Sequence, residues 1–233
     1  QTDIYRRRRA LSGLLEEYPV AAALAVRCQQ GLQRLHGFFA SPYFHCCIQQ
    51  RGSLAEAFGG YLGSEVFREQ AEVAGMAAVE LAIAQVRRAG DYLHSPGNAL
   101  TDTSKLRLAP WVALCTTHPT TLPRYGMLLE CLKRPNTPLL ETILNQKLRL
   151  PNSPPRRQAP AVWLMVVGAP GAEGPSLETA SEELGTLLSA AREAMSLGAL
   201  VAIAERLGAE PDEAIEMLQG FVEERLLLPL LCP

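Results

Sequence analysis

The residue types that could do chemistry are all present in this chain of 233 residues, but their spacing argues against most of it. The four histidines, His36, His45, His94 and His118, form neither an HxxxH nor an HExxH pair, the spacings that turn two imidazoles toward one metal from one helical face. His45, Cys46 and Cys47 are consecutive, so on a helix they point in different directions and suit packing or surface roles. The six cysteines, Cys28, Cys46, Cys47, Cys115, Cys131 and Cys232, include no CxxC pair and are too sparse for a disulfide framework. They fit reduced thiols and a cytoplasmic protein. No GxSxG elbow marks an activated serine. The segment AVWLMVVGAPGAEGPS has the strand-then-glycine order of a phosphate loop. Yet Gly168, Gly171 and Gly174 match neither GxGxxG nor GxxxxGK, Pro170 and Pro175 remove donors, and Glu173, Glu178, Glu182 and Glu183 would repel an anion. A hairpin turn accounts for the segment. An autonomous enzyme has little support, and no cofactor or metal is expected in this chain.

Charge is more informative than motif. The formal net charge is only −2, but residues 1–95 balance at +1, 96–160 at +6 and 161–233 at −9. A polyanion is a poor partner for the last third. Apolar residues make up 48%, yet no apolar run approaches the roughly 20 residues that cross a bilayer, so no membrane span is expected.

The elements that would hold a site fall into two stretches. Residues 1–100 predict an all-helical bundle: Leu24, Cys28, Leu32, Leu35 and Phe39 step by three or four residues, as do Val73, Met76, Val79, Ile83 and Val86. Residues 101–233 predict a small winged-helix-like domain within an overall α+β fold. Its strands are Leu106 to Thr117 and Ala161 to Gly168, with an exposed Pro-rich loop over 151–160. Three helices follow, one capped by Ser181, one striped by Leu197, Leu200, Val201, Ala204 and Leu207, and one opened by Pro211 with Ala214, Ile215, Leu218, Phe221 and Val222 inward.

Such a tail suggests helix-turn-helix, but a recognition helix needs Arg, Lys, Asn or Gln on its outer face. EPDEAIEMLQGFVEER instead carries Glu210, Asp212, Glu213, Glu216, Glu223 and Glu224. The same geometry suits an extended peptide added to a strand edge, one with basic residues. A solvated acidic face on a structural domain is the competing account. Arg6 to Arg9 with Arg87 and Arg88 could form a basic face for a protein partner. A DNA-binding transcriptional regulator working through that first helix is the main alternative function.

Several segments are similar to a known family. IYRRRRALSGLLEEYPV, the Phe38–Phe39 pair, SLAEAFGGYL and VAGMAAVELAIAQVRRA resemble the helical domain of partner proteins encoded beside TIM-barrel multinuclear non-haem iron oxygenases, a family first labelled as DNA-binding. KLRLAPWVAL, AVWLMVVG and the terminal helices resemble the RiPP recognition element that captures precursor leaders, as in the partner subunit of 3-thiaglutamate biosynthesis. Tyr5, Arg6, Tyr18, Pro19 and Glu80 match the family's Tyr-Arg, Tyr-Pro and glutamate signatures, while Arg8 replaces a usual asparagine. For Glu80, amid an apolar helix, a pairing with an arginine is expected rather than catalysis.

The resemblance implies a non-catalytic partner subunit that binds the leader of a ribosomal precursor peptide and delivers it to an iron oxygenase, the iron residing in that partner. The peptide groove would use Trp163, Met165 and Val167 on a strand, Leu177 nearby, and Glu213, Glu216, Met217 and Gly220 on the third helix. Tyr5, Arg6, Arg9, Arg87 and Arg88 would dock the oxygenase.

Overall fold

A computed structural model describes residues 2–89, 104–152, 159–168 and 174–230. His94, the turn beginning at Ser95, Gly171, most of the Pro-rich loop and Cys232 lie outside the described residues. In chain order, α1 (Thr2–Glu17), α2 (Pro19–Val26), α3 (Gly31–His36), α4 (Pro42–Gln50), α5 (Leu54–Leu62) and α6 (Ala71–Arg88) come first. They are followed by β1 (Lys105–Leu108), β2 (Val112–Thr117), α7 (Thr121–Leu132) and α8 (Leu139–Leu144). The rest is β3 (Val162–Val167), β4 (Ser176–Ala180), α9 (Glu182–Ala190), β5 (Met195–Ser196), α10 (Leu197–Arg206), α11 (Pro211–Glu223) and β6 (Leu227–Leu230). With two three-stranded sheets among these helices, the fold is α+β. Among the described residues no helix is long and apolar enough to cross a membrane.

The chain forms two compact units, residues 1–84 with 116–161 and residues 85–115 with 162–233. Where the sequence suggests one boundary near residue 100, the structure has an interleaved division. The reason is that α7 and α8 pack on α2. Arg27 at the end of α2 donates from Nε to the Leu148 carbonyl at 3.1 Å and from Nη2 to that of Asn145 at 2.9 Å. On α7, buried Arg124 donates from Nε to Glu72 Oε1 at 2.6 Å and from Nη2 to the Pro151 carbonyl at 2.6 Å. Such charged ties between remote residues leave no mark in hydrophobic periodicity.

The first unit is built around α2, whose PVAAALAV is apolar on every side and almost wholly buried. A buried helix start must find partners for its first amides. Pro19 opens α2 and has no N–H to satisfy. The next two amides are met by Glu80 of α6, with Oε1 accepting from Val20 at 2.8 Å and Oε2 from Ala21 at 3.0 Å. Ala22 N–H then begins the helical ladder on the Tyr18 carbonyl at 2.8 Å. Glu80 is 1% exposed, so its carboxylate meets these amides away from solvent. Tyr18, 0% exposed, donates its hydroxyl to the Ala55 carbonyl at 2.8 Å. It has room because Gly59 lacks a Cβ, which would sit 2.6 Å from that oxygen.

In the second unit the single strand expected over residues 106–117 is two. Val112 N–H donates to the Ala109 carbonyl at 2.9 Å, closing a turn at Pro110, and the halves join different sheets. β1 is central in the order β5-β1-β6, and β3 is central in β2-β3-β4. The last two helices follow the expected stripes, burying Leu197, Leu200 and Ala204 on α10 and Ala214 and Leu218 on α11, with Val201, Leu207, Ile215, Phe221 and Val222 half-buried. Ser181 caps α9 by accepting from Leu184 N–H at 3.1 Å, and Ser196 caps α10 by accepting from Ala199 N–H at 3.3 Å. Trp111 Nε1 donates to the Arg225 carbonyl at 3.0 Å, tying the β1–β2 turn to the turn after α11.

Replacing Glu80 by alanine orphans two buried amides, so Glu80→Ala should lower unfolding free energy by about 2–4 kcal/mol. A urea melt followed by circular dichroism measures it.

Candidate functional site

A sheet that takes a guest strand needs an unpaired margin, and the two sheets have four ends. β5 is only two residues long. β6 contains Pro229, whose nitrogen has no hydrogen for a ladder. β2 is buried over Val112, Ala113 and Leu114, and the Leu114 carbonyl accepts from Arg192 Nη2. The fourth end is β4, paired to β3 on one side and to nothing on the other among the described residues. Ser176, Glu178 and Thr179 are exposed along it. β4 has no proline within it and is long enough to direct a ladder.

The register distributes the groove residues expected from sequence. Trp163, Met165 and Val167 lie on β3, which has a neighbour on each side, so their backbone offers no free edge. They pair with Ala180, Glu178 and Ser176 of β4, and directly opposed residues share a face. That face packs on the helices: Met165 is in the apolar cluster of α9, α10 and α11, and Trp163 lies against α9 where a Cβ on Gly185 would be 2.1 Å from the indole Cγ. These three residues line the core beneath the edge rather than a groove. Leu177 pairs with Val166 and therefore faces the other side of the sheet. Gly220 of α11 borders open space, so its lack of a side chain serves no close approach. Glu213 and Glu216 are exposed on α11.

Met217 is the member of that set which lines a cavity. With Leu184 and Leu187 of α9, Ala204 of α10, and Leu207 and Ala209 after it, Met217 bounds a cleft of about 150 Å³. Ser181 and Glu183, both exposed, complete the lining, and Ser181 directly follows the last residue of β4. The open strand edge thus runs to an apolar cleft. The sequence hides this pairing because SLETA has few strand-forming residues and reads as the approach to a helix. Leu184, Leu187 and Leu188 do carry a legible three-and-four spacing.

The acidic character is real, with a local cause for part of it. The second unit has seven Lys and Arg against fourteen Asp and Glu, a balance of −7. Glu182 and Glu183 occupy the first turn of α9, and Asp212 and Glu213 that of α11, where carboxylates favour the helix dipole. Hydrogen bonds from its own backbone and from Ser181 hold the Glu183 carboxyl below the usual range.

The expected docking residues divide between the units. Tyr5, Arg6 and Arg9 lie on the exposed first half of α1, whose buried contacts begin at Leu11. Tyr5 is 69% and Ile4 60% exposed, and Arg7 is paired to Asp3 at 2.8 Å. Arg87 and Arg88 end α6, exposed, in the second unit.

Among the described residues, no three His, Cys, Asp or Glu side chains come together as metal ligands. Desolvation pushes the half-buried Cys115 thiol up to about 11, against the opposing charge of Arg192. No protein-family model, curated protein or solved structure matches this chain.

Because the folded state holds the Cys115 proton more tightly than an unfolded thiol near 9, stability should fall as pH rises from about 9 through 11. Denaturation midpoints measured across that range should fall in the chain and fall less in Cys115→Ala. At pH 8, iodoacetamide should label exposed Cys46 before Cys115, read by mass spectrometry.

Proposed function

We propose that this chain is a non-catalytic subunit that binds the leader of a ribosomally made precursor peptide and delivers it to a multinuclear iron oxygenase. The second unit acts in this reading as a winged-helix-like RiPP recognition element, with the leader added as a strand on β4. The observation that carries it is the open β4 edge, the one sheet end among the described residues that is neither shortened, interrupted by proline nor buried. Strand addition satisfies the backbone of any sequence, and side-chain pockets then choose among sequences.

Docking falls to the exposed half of α1. Of the three signatures shared with the partner-protein family, Tyr18–Pro19 and Glu80 are consumed in starting α2, whereas Tyr5 and Arg6 do nothing visible for the fold. Exposed aromatic and arginine side chains are the types that anchor interfaces. Iron and its ligands belong to the oxygenase, and this chain contributes by raising the local concentration of substrate. α11 fits duplex DNA poorly, since it carries Asp212, Glu213, Glu216 and Glu223 and no Lys or Arg.

Short peptides tiled along the precursor leader should bind with micromolar or better affinity by fluorescence anisotropy. N-methylation of single peptide bonds should weaken binding at alternate residues only, the period of an edge ladder. Met217→Arg should cost about tenfold or more in affinity by filling the cleft with a charge, while the melt is preserved. A uniform N-methyl profile would remove strand addition from the reading.

Docking has its own check. Tyr5→Ala with Arg6→Ala should abolish co-elution with the oxygenase on size exclusion yet leave leader affinity unchanged. Met217→Arg should do the reverse.

A further inference from the structure

Glu178 is the acidic residue of this region that stands on the open strand edge. Glu182, Glu183, Asp212 and Glu213 sit in first turns of helices, where their charge has a role in folding. Glu178 is in a strand, opposite Met165, on the face that packs against the helices. It is exposed and enters no ion pair among the described residues. A carboxylate in that position gains nothing from β propensity or from its cross-strand neighbour.

Its place relative to the cleft is fixed by the pleat. Glu178 and Ala180 are two residues apart on one strand, and their partners Met165 and Trp163 turn both to the helix side. Ser181, next along the chain, lines the cleft beside Leu184 and Met217. A guest residue alongside Ala180 therefore stands nearest the cleft, and the guest residue two positions away on the same face stands beside Glu178. The cleft, about 150 Å³ and lined mainly by Leu, Ala and Met, has the size at which apolar cavities admit a benzene ring.

We propose that the peptide taken by β4 carries a bulky apolar residue separated by one position from a lysine or arginine, the first entering the cleft at Met217 and the second pairing with Glu178. The inference rests on the peptide-binding reading and adds to it a substrate class. Read toward the peptide C-terminus, the order is basic-x-apolar for a guest parallel to β4 and apolar-x-basic for an antiparallel one. The net acidity of the unit favours the same basic guest at longer range.

The experiment is selection of random peptides displayed on phage against the full chain, repeated with Glu178→Lys and with Met217→Arg. The expected result is enrichment of Lys or Arg two positions from Leu, Ile, Met or Phe. Glu178→Lys should exchange the basic preference for Asp or Glu, and Met217→Arg should abolish the apolar one. In isolated selected peptides, Glu178→Gln should weaken binding about two- to fivefold, an effect that fades with salt. Peptides that depend on Met217 but show no charge preference at that spacing, or one that Glu178→Lys leaves unmoved, would overturn this inference and leave the peptide-binding reading standing. If Glu178→Lys or Glu178→Gln only makes the chain self-associate, Glu178 guards the edge against aggregation and the proposed pairing fails. Recovery of no peptide that Met217→Arg displaces would defeat both.

Discussion

A helix that is apolar on all sides can be central only if its ends are satisfied from elsewhere, and the start of α2 is where the first unit meets that demand. Pro19 removes one amide, and the two oxygens of Glu80 take the next two. A carboxylate at a helix N-terminus is also favoured by the dipole, so one side chain from α6 supplies both hydrogen bonds and charge. α7 and α8 then pack on α2, with Arg27 tying the Leu148 and Asn145 carbonyls to its end and Arg124 of α7 bonding Glu72 of α6. The interleaving of the chain follows from this arrangement.

The second unit answers a different constraint. Small sheets have ends, and exposed ends invite pairing with other chains. Three of the four are managed by familiar means: extreme shortness in β5, proline in β6, burial and an arginine cap in β2. β4 lacks those devices, and it leads directly into an apolar cleft. The second unit therefore keeps one sheet end with open backbone beside an apolar cleft.

Charge organises the two units in opposite senses. The first has fifteen Lys and Arg against ten Asp and Glu, and the second is acidic. Acidic residues in the first turns of α9 and α11 show that composition alone overstates the case for a binding surface, because helices recruit such carboxylates for their own ends. Glu178 lies on an edge strand, outside any helix start.

The sequence on its own determined the α+β class, the helical first segment, the strand over Val162 to Val167, and the late helices with their Ser181 and Pro211 starts. Each of these depends on neighbours within a few residues, through side-chain period or capping, and so is written locally. Met217 was legible because it borders the buried stripe of α11. Tertiary structure alone decided that β3 is central and β4 is the edge, that Leu177 and Trp163 lie on opposite faces, and that Glu80 meets amides at the start of α2. Strand order and register join residues far apart in the chain, and a shift of one residue reverses every face, so no local pattern in SLETA or AVWLMVVG could have fixed them.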